Sequence, residues 1–120
     1  MYAESTIRKF AIDIVKDVGK ILQNNFKRQT KISFKEDLSL ISEIDLTVEK
    51  KIISSIKKKF PSHNILSEEN GGEIKQEYTW IIDPLDGTTN YIMGIPFFCI
   101  SLALLFQNNP HQKLSCLLNY

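Results

Sequence analysis

The amino-acid sequence predicts an α+β domain in which two amphipathic helices pack on one face of a mainly antiparallel sheet. Apolar residues recur at helical spacing through much of the first half of the chain, whereas short apolar runs bounded by proline, glycine and asparagine dominate the second half. The apolar content is 42% and the charged content is 24%, as in folded globular proteins. A chain of 120 residues suffices for one domain, which we expect to span residues 1–120.

Charge and hydropathy limit the partners of this domain. The net charge of +1 gives no reason to expect a nucleic-acid ligand, and we interpret Lys57–Lys59 as a solvated helix end. The uncharged segment Tyr91–Phe106 contains a glycine and a proline and is too short to cross a membrane. Charged residues near the N-terminus argue against a secretory signal. Cys99 and Cys116 lie in apolar runs without a clear disulfide pattern, so we expect a cytoplasmic protein.

Two segments have the spacing of amphipathic helices. The first covers about residues 4–27, and we interpret it as a core helix without a chemical role. Its apolar positions are Ile7, Phe10, Ala11, Ile14, Val18, Ile21, Leu22 and Phe26. The second helix follows Asp45, a favoured N-cap residue, and ends at Pro61. Capping alone explains Asp45, although a carboxylate at this position can also face a functional site.

Short strand-like segments surround the second helix. Residues 31–43 predict a hairpin or loop with Lys35 at its tip, where an ordinary surface lysine or a ligand contact are both compatible with the sequence. Asn64–Ser67 predicts a short strand that runs into Glu68 and Glu69. Successive strand side chains point to opposite faces, so we expect only one of these glutamates to face a site. The alternative is a pair of solvated acids before a glycine turn.

The C-terminal part of the chain predicts two more strands. Pro96–Phe106 is a nearly continuous apolar run, typical of a central strand that is covered on both faces. Leu114–Leu118 predicts a further strand after an asparagine–proline turn. His63 and His111 have no partner at a metal-binding spacing, and we interpret both as ordinary surface or loop histidines.

The stretch Thr79–Asn90, Thr-Trp-Ile-Ile-Asp-Pro-Leu-Asp-Gly-Thr-Thr-Asn, contains the densest group of polar functional residues. Its β-branched and aromatic start predicts a short buried strand, and the proline directs the chain into a turn. Asp83 and Asp86 can then converge and, with the carbonyl of Leu85, offer the oxygen ligands that hard divalent cations prefer. Gly87 lets the backbone approach an anion, so a phosphate site would lie beside the metal site.

Together with Asp45, Glu68 and Glu69, the block Asp83–Asn90 resembles the inositol monophosphatase family of magnesium-dependent, lithium-sensitive phosphatases. The similarity extends from the first helix to about Phe106, and the Asp-Pro-Leu-Asp-Gly-Thr-Thr block is highly specific. The resemblance implies the N-terminal, metal-binding half of such a protein, with the first half of the layered α/β sandwich of sugar phosphatases. It also implies hydrolysis of inositol phosphate or a related sugar monophosphate.

The resemblance implies a metal role for four matching residues. Glu68 and Asp83, with the carbonyl of Leu85, would hold one Mg²⁺. Asp83 and Asp86 would share in holding a second.

The same resemblance implies roles in catalysis and substrate binding. Glu68 and Thr88 would orient a metal-activated water for in-line attack on phosphorus, and Asp45 would support Thr88. The amides of Gly87 and Thr88, with Glu68 beside them, would contact the substrate phosphate. Lys35 would lie in a loop over the metals.

The chain departs from the family pattern after its apolar strand. Family members continue through a second half with a Trp-Asp-x-Ala-Ala-Gly motif that completes the second metal site, and this motif has no counterpart here. The expectation is a truncated or split member that binds metal and phosphate weakly and leaves Phe97–Phe106 partly uncovered. Its partners would be a small-molecule phosphomonoester and either a second copy of the chain or a complementing C-terminal half.

Two alternatives to this function stay open. The chain could be a catalytically inactive metal-binding, phosphate-binding or regulatory fragment, since a fold does not guarantee activity. It could also have the 3′(2′),5′-bisphosphate nucleotidase or fructose-1,6-bisphosphatase activity of the same superfamily. Thr89 and Asn90 favour a sugar monophosphate, because members that resemble bisphosphate nucleotidases tend to have Lys-Glu at these positions.

Overall fold

Helices lie on one face of a four-stranded sheet in the computed structural model, which describes residues 3–28, 32–34, 40–67, 71–72, 78–106 and 113–119. The elements in chain order are α1 (Glu4–Asn25), β1 (Ile32–Phe34), β2 (Leu40–Ser42), α2 (Glu43–Lys59), β3 (Asn64–Ser67), β4 (Tyr78–Asp86), α3 (Thr88–Ile92), β5 (Cys99–Phe106) and β6 (Lys113–Asn119). The sheet order is β3-β4-β5-β6, with β3 parallel to β4 and the other neighbours antiparallel. Strands β1 and β2 form a separate antiparallel hairpin. The predicted α+β class and mainly antiparallel sheet are confirmed.

The N-terminus of α2 differs from the prediction. The N-cap residue is Ser42, and Asp45 is the third residue inside the helix, where its carboxylate accepts a hydrogen bond from the Ser42 amide. Serine is as good an N-cap as aspartate, and an acidic side chain three positions later can satisfy the N-cap amide in return. Asp45 therefore caps the helix from within.

Strand β5 has two different faces. The side chains buried beneath the helices are Ile100, Leu102 and Leu104. The alternate side chains of Ser101, Ala103 and Leu105 are only half-buried. The prediction of a strand covered on both faces is wrong for the described part of the chain, because α1 and α2 pack on one face alone. The expectation that this apolar strand is partly uncovered agrees with the observed burial.

His63 has a structural role that the sequence did not indicate. Its ring stacks at 4.7 Å on Phe60 and at 4.7 Å on Tyr78. Its Nδ1 accepts a hydrogen bond of 2.9 Å from the indole N–H of Trp80, a group that can only donate. His63 lies in the loop between α2 and β3, one of the two predicted locations, but its partners make it more than an ordinary loop residue. His111 lies outside the described residues. The contact joins the end of α2 to β4.

Other expectations concern the surface. Lys57–Lys59 are exposed in the last turn of α2, as predicted. None of the helices in the described ranges is long and apolar enough to cross a membrane.

Candidate active site

Strand β4 contains a bulge at its C-terminal end. The predicted turn after Ile82 does not form, and the strand continues through the proline to Asp86. Asp83 pairs with Ser101 and Asp86 pairs with Cys99. Two residues of β4, Pro84 and Leu85, therefore lie between these pairs, opposite the single residue Ile100 of β5. Proline suits this place because it has no N–H to leave without a partner. The extra residue on β4 is the bulge.

The bulge sets the direction of the two aspartates. Ser101 and Cys99 are two positions apart on β5 and share a face, so their partners Asp83 and Asp86 also share a face. Without the extra residue, a separation of three would point the carboxylates to opposite sides. Burial raises the pKa of the Cys99 thiol, and the charge and hydrogen bond of Asp86 and the charge of Asp83 raise it further. Both carboxylates therefore affect the Cys99 thiol, so they converge, as predicted, although a bulge and not a turn brings them together.

Gly87 connects the bulge to α3. Its φ of 94° lies in the left-handed region, and an added Cβ would lie 2.9 Å from the Phe97 carbonyl oxygen. Only glycine fits this conformation and this close approach without strain. The chain then enters the short helix α3, which begins with Thr88.

The side chains of Thr88 and Asp45 meet across the site. Thr88 Oγ1 lies 2.8 Å from Asp45 Oδ1 and 3.1 Å from the carbonyl oxygen of Leu85. Asp45 is 1% exposed, and its second oxygen, Oδ2, accepts from the amide and the hydroxyl of Ser42. The structure thus brings together two residues that the sequence assigned to the site from distant segments.

Tyr91 fixes α3 against α1. Its phenol donates a hydrogen bond of 2.7 Å to the carbonyl of Leu22, in the last turn of α1. Burial, and then the negative charge of Asp45, raise the pKa of Tyr91 from 10.0 to about 12. The helix that carries Thr88 is therefore held on its buried side by a neutral tyrosine.

The end of β3 lies beside the bulge. Ser67 pairs with Ile82, and Ser67 and Gly71 exchange two backbone hydrogen bonds of 2.9 and 2.8 Å. An open hollow of about 310 Å³ lies at this edge of the sheet. Its lining residues are Leu66, Ser67, Ile81, Ile82, Asp83 and Ser101.

The described donors suit a hard cation but form only part of a centre. Asp83, Asp86 and the Leu85 carbonyl provide oxygen ligands, and a cation would offset the repulsion between the two carboxylates. Within the described ranges, no group of three or more His, Cys, Asp and Glu residues is arranged to hold a metal. Glu68 and Lys35 lie outside those ranges, so their roles stay predictions.

Sequence reasoning missed three residues of the site. Ser42 and Asp45 have the spacing of a capping box, a signal that could have located Ser42. Cys99 and Tyr91 give no comparable local signal, because their partners lie on other segments. Cys99 is not the simple apolar cysteine that was expected, since its thiol donates to Asp86 at 3.7 Å.

The fold and its site define the class of protein: an α+β domain with a carboxylate-bearing bulge followed by a short helix. The chain belongs to the inositol monophosphatase family, whose sequence model matches residues 3–112. It is 38% identical over 106 residues to inositol monophosphatase 2 of Solanum lycopersicum, covering 83% of this chain and 40% of that protein. It is 41% identical over 95 residues to fructose-1,6-bisphosphatase/inositol-1-monophosphatase of Aquifex aeolicus, covering 77% of this chain and 36% of that protein.

Solved structures show the same fold. An IMPase from Thermotoga maritima superposes with a TM-score of 0.80 at 33% identity, over 89% of this chain and 42% of its own. A staphylococcal inositol monophosphatase superposes with a TM-score of 0.86 over 100% of this chain and 46% of its own. At 23% identity, this second likeness concerns the fold alone. The chain therefore spans less than half the length of the relatives that it matches.

Proposed function

We propose that the protein is a Mg²⁺-dependent phosphomonoesterase that hydrolyses inositol phosphate or a related sugar monophosphate. The main support is the placement of Asp83 and Asp86 on one face of the β4 bulge, directly before a Thr88 hydroxyl that Asp45 holds. Carboxylates for a cation and an oriented hydroxyl are the groups that phosphate ester hydrolysis by water requires. Family membership supports the same chemistry.

The proposed metal ligands are Glu68, Asp83, the Leu85 carbonyl and Asp86. Ser67 and Ile82, which pair in the sheet, immediately precede Glu68 and Asp83, and this register supports a shared site. Bound Mg²⁺ would neutralise charge on the phosphate and make water a better nucleophile. The chain's own contribution is the rigid bulge, which fixes where this positive charge is held.

Thr88 is proposed to orient the water. A hydroxyl has one proton and two acceptor sites, and the Thr88 proton is directed at Asp45 Oδ1, 2.8 Å away. The oxygen of Thr88 is then an acceptor for a water proton, with Glu68 as the second acceptor. A water that donates both protons in this way presents its lone pair to the phosphorus atom. The amides of Gly87 and Thr88 would bind phosphate oxygens, and Lys35 would contact the site from its loop.

The substrate class rests on the resemblance of Thr89 and Asn90 to the inositol monophosphatase branch. The side-chain amide of Asn90 also donates to the Phe97 carbonyl at 2.9 Å, so it stabilises the loop after α3.

The exposed apolar residues of this loop support a protein partner, either a second copy or a complementing half. They are Met93, Ile95 and Phe97, with exposed fractions of 68%, 43% and 79%. Lithium inhibition and a cytoplasmic location stay predictions.

The test is phosphate release from inositol 1-phosphate with and without Mg²⁺. We expect Mg²⁺-dependent release that Asp83→Asn lowers by at least ~100-fold, because the variant loses a metal ligand. Asp17→Asn, which changes an exposed carboxyl on α1, is the matched control and should have no effect. Release that needs no metal, or that Asp83→Asn leaves unchanged, would contradict the proposal.

A second candidate function is the binding of metal or phosphate without turnover. Its support is that the described residues contain no group of three or more His, Cys, Asp and Glu residues arranged to hold a metal. Calorimetric titration with Mg²⁺ and with inorganic phosphate separates the two functions. Binding that Asp83→Asn abolishes, without phosphate release, would identify a binding module. A panel of sugar monophosphates, fructose 1,6-bisphosphate and a nucleoside bisphosphate then ranks the possible substrates.

A further inference from the structure

We propose that Ser42 is a positioning residue for Thr88 and acts through the carboxylate of Asp45. Its consequence for the reaction rests on the proposed function. The amide of Ser42 donates to Asp45 Oδ2 at 3.0 Å, and its hydroxyl donates to the same oxygen. Thr88 donates to the other oxygen, Oδ1, at 2.8 Å. The two carboxylate oxygens thus have separate partners on opposite sides.

The hydroxyl of Ser42 does more than cap a helix. An ordinary N-cap side chain accepts from a backbone amide in the first turn, and here the Asp45 amide lies 3.4 Å from the Ser42 oxygen, at the limit of a hydrogen bond. The hydroxyl also donates its own proton to the carboxylate of Asp45, and hydrogen bonds to a charged acceptor are the stronger kind. Its main interaction is therefore with the side chain of Asp45.

Two donors on one oxygen fix the plane of the carboxylate. Without the Ser42 hydroxyl, Oδ2 keeps only the hydrogen bond of 3.0 Å from the backbone amide, so the carboxylate turns more easily about its Cβ–Cγ bond. Ser42 and Asp45 are each 1% exposed, so water does not compete at Oδ2. With the plane fixed, Oδ1 stays directed at Thr88 across the gap between α2 and α3.

Thr88 has a competing acceptor close by. The carbonyl oxygen of Leu85 lies 3.1 Å from Thr88 Oγ1, only slightly farther than Asp45 Oδ1. If the Asp45 plane turns, the Thr88 proton is free to move to this carbonyl, which is also a proposed metal ligand. Ser42 therefore keeps the water-orienting hydroxyl separate from the metal-binding oxygen.

The test compares Ser42→Gly, Ser42→Thr and the wild type. Glycine is accepted at N-cap positions at little cost in stability but has no hydroxyl, whereas threonine keeps it. Ser54→Ala is the matched control, because it removes an exposed hydroxyl from the same helix. Both acceptors are within reach of the same Thr88 Oγ1 position, so only the hydroxyl proton has to turn between them. The first readout is therefore the exchange rate of the Thr88 hydroxyl proton with water, from NMR of the metal-free protein.

We expect slow exchange of the Thr88 hydroxyl proton in the wild type, Ser42→Thr and Ser54→Ala, and faster exchange in Ser42→Gly. An unchanged exchange rate in Ser42→Gly overturns the proposal. Far-ultraviolet circular dichroism and the unfolding midpoint verify that Ser42→Gly is folded. If it is not, slow exchange of the Ser42 hydroxyl proton in the wild type is the deciding measurement, and fast exchange overturns the proposal.

The second readout is steady-state kinetics with inositol 1-phosphate and Mg²⁺. We expect Ser42→Gly to lower kcat by ~10-fold and to leave KM within about twofold of the wild-type value. This pattern is expected because Thr88, which Ser42 positions, acts in the transition state. Ser42→Thr keeps the hydroxyl and should have the kcat of the wild type. An unchanged kcat beside faster exchange of the Thr88 hydroxyl proton also overturns the proposal. If the wild type shows no Mg²⁺-dependent activity, the proposed function fails, and the exchange rate of this proton alone confirms or overturns the role of Ser42.

Discussion

The two sides of the candidate site differ in the arrangement and burial of their carboxylates. The α2–α3 contact, defined as Ser42, Asp45 and Thr88, holds one carboxylate with hydrogen bonds to both of its oxygens. The β4 bulge, defined as Asp83–Asp86, instead directs two like charges to one face, where Asp83 is half-buried and Asp86 is exposed.

The two arrangements have different consequences for the stability of the fold and for the binding of a cation. A buried carboxylate that accepts several hydrogen bonds is stabilising, and removing it leaves donors without partners. Two neighbouring carboxylates on a partly exposed face repel each other and gain from a cation. The α2–α3 contact therefore serves the fold. The carboxylates of the β4 bulge accept from the Leu85 amide and the Cys99 thiol, and in the proposed function they also bind a cation. Four substitutions test this contrast.

Asp45→Ala should have the largest effect on stability. It removes the reciprocal cap of α2 and leaves the Ser42 and Thr88 hydroxyls without their shared acceptor, so we expect a loss of about 3 kcal/mol in the free energy of unfolding. Chemical denaturation measures this loss. Asp17→Ala, at an exposed position of α1, should stay within about 0.5 kcal/mol of the wild type. Equal effects at both positions would remove the basis of the comparison.

Gly87→Ala should cost about 2 kcal/mol, because it combines a left-handed φ with an overlap on the Phe97 carbonyl. Gly71→Ala is the matched control, since Gly71 also has a positive φ, of 70°, but nothing lies within 4 Å of an added Cβ. We expect the control to lose about 1 kcal/mol, the conformational part alone. The excess at Gly87, measured by thermal unfolding, reports the close packing that connects the two sides.

Tyr91→Phe should cost about 1 kcal/mol, because it removes the buried donor to the Leu22 carbonyl. The variant should also differ at high pH. The fold raises the pKa of Tyr91 from 10.0 to about 12, so the stability due to its neutral form is present below pH 10 and is lost as the pH rises toward 12. Denaturation between pH 9 and about pH 12 should therefore show a steeper loss for the wild type. Parallel curves would contradict this role.

Asp86→Asn should change the free energy of unfolding least, by less than about 0.5 kcal/mol without metal, because the residue is exposed and the change removes a repulsion. Mg²⁺ should then raise the unfolding midpoint of the wild type more than that of the variant, since a ligand stabilises the state that binds it. A large loss of stability without metal would show that the bulge is not primarily a binding feature.

The sequence predicted much of the fold and the location of the site, because both depend on local patterns. Apolar spacing located α1, α2 and the main strands, and the block from Asp83 to Thr88 located the candidate site, although a turn was predicted where the strand continues through a bulge. The cap of α2 was assigned to Asp45 instead of Ser42, a local signal that was overlooked. The bulge and the partner of His63 depend on contacts between segments, since Trp80 lies 17 positions from His63.

The sequence by itself identified the candidate residues of the site, while the tertiary structure decided how the described ones among them are held. Asp83 and Asp86 share a face only because β5 pairs with β4 across one extra residue, and no local pattern contains that register. Asp45 reaches Thr88 over 43 positions of chain because α2 and α3 pack on the same domain. Periodicity and turn chemistry act over a few neighbouring residues, whereas such contacts depend on long-range packing.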